Sequence, residues 1–251
     1  MLRAALWCAL WLAGAAAAAG GFVHGWRLML EPARFPVRRI AVRGGVESLN
    51  GEVAASLSGL MNRNMFTMDL HAIESQTLSH PWVREASVWR QIPGTIHVLI
   101  APRTVAALVQ EAGGIRMFSA DAADLGPLTP RFADEDHTII TGVESGDAAE
   151  RSARVVRGIR ALRRLESAEP AFVSALSTLN VSRADRLEAT LRDFWPPVYL
   201  NPADPALNVE RLPSLRRQLA AGGVLAAYVD LRFRDRIAVL PENSSEVPSG
   251  A

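Results

Sequence analysis

The side chains capable of chemistry are few and scattered. Cys8 is the one cysteine and lies in an apolar run. A single thiol forms neither an internal disulfide nor a thiolate zinc site. The five histidines, His24, His71, His80, His97 and His137, show no metal-ligand helix spacing, and no H-E-x-x-H occurs. There is no G-x-G-x-x-G, G-x-S-x-G or phosphate loop. All 27 basic residues are arginine, which removes Schiff-base and phosphate-loop lysines. Asp134-Glu135-Asp136 sits in polar, turn-like sequence and reads as a solvated loop, not a metal or acid/base cluster. We therefore expect no catalytic site, no cofactor and no metal. With 27 basic against 26 acidic side chains, no net field favours nucleic acid.

The elements that would carry any binding surface can be read from the pattern. The 251 residues, 49% hydrophobic and 21% charged, suit one large or two small globular domains. From Ala4 to Val23 there is no charge, a run of about 20 residues, enough to cross a bilayer core of roughly 30 Å as a helix. Trp7, Trp11 and Trp26 suit interfacial positions. The rival reading is a cleaved signal peptide, because Ala15 to Ala19 offers A-x-A sites. Apolar residues continue past the alanines to Phe22-Val23 and Leu28-Met29-Leu30, which favours a retained anchor. Arg27, Arg34, Arg38, Arg39 and Arg43 follow the run. Charge counting alone would put that side in the cytoplasm, but large domains translocate despite such charges.

After a linker with Pro32 and Pro36, Val37 to Arg43 alternates as a strand closed by Gly44-Gly45. Leu49 to Leu60 has helical spacing, and Asp69 is an N-cap for a helix over Leu70 to Leu78. Trp82 to Gln91 and Thr95 to Ala101 form a hairpin across Ile92-Pro93-Gly94. The order β-α-α-β-β can bury one compact core. Beyond it, Val105 to Gln110 and Ile115 to Ser119 read as a hairpin, and Thr138 to Thr141 as a short strand. Asp147 to Ser167 is an amphipathic helix with Val155, Ile159 and Leu162 on one face. Arg154, Arg157, Arg160 and Arg164 share the other, a row that reads as solvated, with phosphate binding as the rival. Val173 to Val181, Arg186 to Arg192, Val198 to Leu200, Val224 to Phe233 and Ile237 to Leu240 read as strands. A helix around Val209 to Leu219 lies among them, and a polar tail, expected to be disordered, closes the chain.

Asn64-Met65-Phe66-Thr67-Met68-Asp69-Leu70, Pro81-Trp82-Val83-Arg84-Glu85-Ala86-Ser87-Val88-Trp89-Arg90 and Ile92-Pro93-Gly94-Thr95-Ile96 resemble a POTRA domain. With Phe35 to Gly44 before them and Ala227-Tyr228-Val229-Asp230-Leu231-Arg232-Phe233 near the end, the chain resembles the FtsQ/DivIB family of bacterial cell-division proteins. It departs from that pattern at Pro102 and Val105 after the third strand, and at Arg236 and Leu240 in the last hairpin.

The resemblance implies an α+β fold: an N-terminal transmembrane helix, a β-α-α-β-β POTRA domain, then a mostly antiparallel β domain with two helices. The expected divisions are 1–30 for a cytoplasmic stub and transmembrane helix (span about 4–23), 35–103 for the POTRA domain, 104–241 for the β domain and 242–251 for a disordered tail. It implies a single-pass inner-membrane protein, its bulk periplasmic, acting as a scaffold at the division septum. Its partners would be FtsB- and FtsL-like coiled-coil proteins and other divisome components. Partner contacts would fall at Tyr228, Arg232, Phe233, Asp235 and Arg236. From the strand pattern, an exposed terminal strand would accept a partner's strand, with Val229, Leu231 and Phe233 on one face. The alternatives are a POTRA-bearing outer-membrane assembly or secretion factor, for which 251 residues hold too few POTRA units or barrel strands, and a soluble periplasmic protein released by signal cleavage. A periplasmic hydrolase would need a catalytic constellation that the sequence does not offer.

Overall fold

A computed structural model describes residues 11, 14–25, 34–133 and 137–242. Residues 14–25 are helical and exposed. The remainder of the expected membrane span, residues 4–10, 12 and 13, lies outside the described residues, as do Asp134-Glu135-Asp136 and nearly all of the C-terminal tail. Among the described residues, no helix is long and apolar enough to cross a membrane. The chain divides into two compact units at Arg103–Thr104.

The first unit runs β1 (Arg39–Arg43), α1 (Glu47–Ser56), α2 (Leu70–Leu78), β2 (Val83–Gln91) and β3 (Thr95–Pro102). Its sheet has the order β1-β3-β2, with β1 parallel and β2 antiparallel to β3. Period-two alternation puts Ile96, Val98 and Ile100 of β3 into the core with Val53, Leu57, Met65 and Ile73. The first helix is shorter than its apolar spacing predicts. It ends at Ser56, and Ser58–Leu60 continues as a tighter 3-10 turn, with Leu60 N–H donating to Leu57 C=O at 3.0 Å. The polar motif residues hold backbone. The Asp69 carboxylate accepts from His71 N–H at 2.9 Å, and Asn64 Oδ1 accepts from Phe66 N–H at 2.8 Å. Arg90 Nε donates to Met65 C=O at 2.6 Å, so the strand arginine of the motif locks the loop before α2. Val83 is fully buried and Trp82 packs against the same core.

The second unit is one nine-stranded sheet, ordered β12-β11-β10-β9-β8-β7-β4-β5-β6. Its strands are β4 (Val105–Glu111), β5 (Gly114–Ser119), β6 (Asp124–Pro127), β7 (Ile139–Thr141), β8 (Leu176–Asn180), β9 (Leu187–Leu191), β10 (Phe194–Leu200), β11 (Ala226–Asp230) and β12 (Ala238–Pro241). Five pairings are antiparallel; β4–β7, β7–β8 and β10–β11 are parallel. Parallel neighbours need a long crossover. Helices α3 (Ala148–Ala168) and α4 (Pro170–Ala175) supply the one from β7 to β8, and α5 (Leu212–Gly222) the one from β10 to β11. Val155, Ile159, Leu162 and Leu165 of α3 pack with Ile140, Leu179, Val198 and Val229 of the sheet. Gly158 allows the close approach, since a Cβ there would stand 3.0 Å from Ile140 Cδ1. Val156, which adjoins the apolar stripe in the sequence, is exposed.

Three expectations change. Two helices become more: Pro170–Ala175 is a short helix and Pro130–Ala133 a single turn. The strand read over Val173 to Val181 is therefore only β8, because Pro170 starts a helix at its first turn. Strand β6 has no counterpart in the sequence reading; its sequence Asp-Leu-Gly-Pro carries no alternation and two residues that strands disfavour. Strand β10 also starts earlier, at Phe194, its register breaking across Pro196-Pro197, which have no N–H to donate.

Gly44 sits at φ +109°, where an added Cβ would meet Ile100 C=O at 1.9 Å. Gly44→Ala is expected to cost more than about 2 kcal/mol, and Gly113→Ala, in open space, less than about 1 kcal/mol. Urea unfolding of the two variants checks this; equal midpoints would refute the packing at the end of β1.

Candidate partner-binding margin

The sheet of the second unit ends at β12. Leu231 N–H donates to Tyr199 C=O of β10 at 2.9 Å, so alternation turns Tyr228 and Asp230 toward β12. They pair there with Leu240 and Ala238, and Glu242 N–H closes the ladder on Leu225 C=O at 2.8 Å. Val239 and Pro241 therefore point their backbone groups outward. Among the described residues no strand pairs with that side. Pro241 has no N–H, so within β12 the free side offers the Val239 N–H together with the Val239 and Pro241 carbonyls. A proline on an outer strand limits how far another chain can zip along it.

The strand read over Val224 to Phe233 stops at Asp230. The Asp230 carboxylate accepts from Arg232 N–H at 3.0 Å, an Asx-turn that bends the chain. Asn208 Nδ2 then donates to Leu231 C=O at 3.2 Å and to Phe233 C=O at 2.7 Å. The carbonyls that would extend the ladder are satisfied by a side chain instead. Phe233 consequently does not share the core face with Val229 and Leu231. It is 39% exposed and both of those are 0%. The long strand β11 is also not the margin, since β10 and β12 flank it.

Asp230 is nearly buried, and a buried carboxylate needs a partner. Arg232 supplies it in fork geometry, with Nε to Oδ1 at 2.9 Å and Nη2 to Oδ2 at 2.8 Å. Arg232 Nη1 also reaches Asp185 C=O at 3.3 Å and its carboxylate at 3.5 Å. Burial alone pushes the Asp230 carboxyl up; the Arg232 hydrogen bonds and the charges of Arg232 and Arg186 outweigh it and hold the group below its ordinary 3.8. On the outer side of the turn, the Arg236 and Arg232 guanidiniums stand 5.2 and 5.9 Å from the Phe233 ring centroid. Asp235 lies exposed in the same turn.

The structure thus brings together Arg232, Phe233, Asp235 and Arg236. Tyr228 lies apart on the sheet face, its ring stacked on Tyr199 at 4.7 Å and 23°, and Arg186 caps that stack 4.3 Å from the Tyr199 ring. Sequence reasoning missed Asp230, Asp185 and Asn208 as the groups that shape the turn. The Asp-x-Arg spacing was a usable signal for the first; the other two come from distant segments. Among the described residues no group of three or more His, Cys, Asp or Glu could hold a metal.

Comparison with known proteins follows this geometry. A family model described as "POTRA domain, FtsQ-type" matches residues 35–101. The first unit is therefore a POTRA domain, defined by its β-α-α-β-β order and this match. The cell division protein FtsQ of Myxococcus fulvus is 25% identical over 237 residues, covering 92% of this chain and 82% of that protein. Those of Bradyrhizobium diazoefficiens and Koribacter versatilis are 27% and 25% identical, over 41% and 68% of this chain. The chain spans only 30% and 48% of these two relatives' own lengths. Over most of its length the chain is thus similar to proteins named cell division protein FtsQ, and its first unit carries the FtsQ-type POTRA match.

The depressed Asp230 group stabilises the fold when ionised, so its contribution is complete above the ordinary aspartate range and is lost as pH falls through the lowered value. Asp230→Asn should be less stable than the parent at neutral pH, with the gap closing on acidification. Arg232→Ala should cost about 1–3 kcal/mol at neutral pH. Unfolding midpoints measured across pH check both; a pH-independent gap would refute the pair's role.

Proposed function

We propose that this chain is a non-enzymatic cell-division scaffold that connects divisome membrane proteins at the septum. The uncharged run over residues 4–23 anchors it in the inner membrane as a single span, and the bulk of the chain lies in the periplasm. The division into a POTRA domain over 35–103 and a β domain over 104–241 serves two tasks, placement at the septum and partner docking. The observation that carries the reading is the unpaired outer side of β12 beside an exposed Phe233 flanked by two guanidiniums, in a chain similar to FtsQ proteins. A partner strand added to β12 gains backbone hydrogen bonds, and the Phe233 ring with Arg236 selects side chains next to it. The partners are FtsB- and FtsL-like coiled-coil proteins, with Tyr228, Arg232, Phe233, Asp235 and Arg236 as the contact set.

Arg232 holds Asp230 in place, so its reversal would disturb the fold as well as the surface. Arg236 is exposed, and its guanidinium lies over the Phe233 ring. Arg236→Glu should weaken co-purification of the full chain with FtsB- and FtsL-like proteins by at least about fivefold, with circular dichroism unchanged. Unchanged capture would remove this surface from the contact set. Carbonate extraction tests the anchor: full-length protein retained in the membrane supports it, and a shortened soluble form supports signal cleavage.

A further inference from the structure

The arginine row of α3 faces a feature that the margin at β12 does not use. A groove of about 380 Å³ runs beside the helix, lined by Arg157, Arg160 and Arg164, by Val156, and by Pro202 and Pro205 of the segment after β10. No carboxylate is among its lining side chains. Asp204 lies between the two prolines, but among the described residues no ion pair joins it to these arginines. Helix α3 carries six arginines against two glutamates, so the field along the groove is positive.

Each guanidinium is held differently. Arg157 donates to Val181 C=O, while its Nε is buried and has no partner among the described residues. Burial, with Arg154 beside it, lowers its pKa from the ordinary value, the signature of a charge lacking a counter-ion. Arg164 Nη1 donates to Ala203 C=O at 2.5 Å, which fixes its head at the groove wall. Arg160 is exposed and makes no hydrogen bond or ion pair among the described residues. From Arg157 to Arg164 the helix rises about 10 Å, two turns with a guanidinium on each. Neutral walls of valine and proline alternate with these heads. A bare oxyanion gains nothing from such walls. A polypeptide gains from both, setting carboxylates on the forks and methylenes on the prolines.

We infer that this groove docks an acidic segment of a partner polypeptide, with Glu or Asp side chains spaced one helical turn apart. It is a second docking surface, independent of the β12 margin and of the partners proposed for it.

The test uses the full chain in detergent micelles. The probe is a fluorescein-labelled amphipathic helical peptide with Glu at i, i+3 and i+7, and its Glu→Gln counterpart is the control. Anisotropy should report binding of the Glu peptide alone, weakening with added salt. The double variant Arg160→Glu, Arg164→Glu should raise the half-saturation concentration at least about tenfold. Arg163→Glu, on the same helix but outside the groove, should leave it within about twofold, as should Arg236→Glu at the other margin. The inference is overturned by absent binding, by equal binding of the Gln peptide, or by an equal loss in Arg163→Glu. It is also overturned if inorganic phosphate at matched ionic strength displaces the peptide completely, which would make the groove an oxyanion site.

Discussion

The Asp230 carboxylate sets the end of the second unit. It is nearly buried, and its guanidinium partner lies two residues further on. A carboxylate taken out of water without such a partner would protonate or unfold its surroundings. Satisfying it bends the backbone, ends β11 and turns Phe233 outward. The chain then reverses and lays β12 along β11, leaving β12 as the outer strand. The exposed turn beyond β11 thus rests on this electrostatic requirement together with the Asn208 hydrogen bonds to Leu231 and Phe233.

The helices follow from a different constraint. A sheet that mixes antiparallel hairpins with parallel neighbours must route chain across its face, and a helix is the compact way to do so. Helix α3 serves β7 to β8, and α5 serves β10 to β11. A crossover helix buries one stripe and must expose the other. On α3 the buried stripe is Val155, Ile159, Leu162 and Leu165, and the opposite side carries the arginines. The segment holding Pro202 and Pro205 leaves β10 toward α5, so its return past α3 forms the far wall of the groove.

Where local pattern decides structure, the sequence was readable. The Asp69 cap, the α2 helix and the β2–β3 hairpin rest on neighbouring residues, and they stand where spacing put them. The margin was readable only in part, because its shape depends on residues far apart in the chain. Asn208 reaches Leu231 and Phe233 across more than twenty positions, and Asp185 reaches Arg232 across nearly fifty. Period-two alternation continues through Leu231 to Phe233, and the distant Asn208 bonds join the local Asp230 turn in stopping it being a strand. The Asp-Leu-Gly-Pro strand went unread for the converse reason: its local signal is weak, and pairing with β5 overrides it.

The lack of lysine takes on physical sense at these surfaces. Around the margin, three arginines use the planarity of their heads: Arg232 forks onto a carboxylate, and Arg186 and Arg236 lie over rings. A lysine ammonium would keep the charge at each position but lose the fork and the stack. Inside the POTRA domain Arg90 and Arg103 instead hold backbone carbonyls, Arg103 Nη1 bridging Pro81 C=O at 2.8 Å and Val83 C=O at 2.5 Å. Guanidinium chemistry therefore secures loops in this chain by donating to carbonyls within the fold, whereas among the described residues the exposed heads of Arg160 and Arg236 make no such bond.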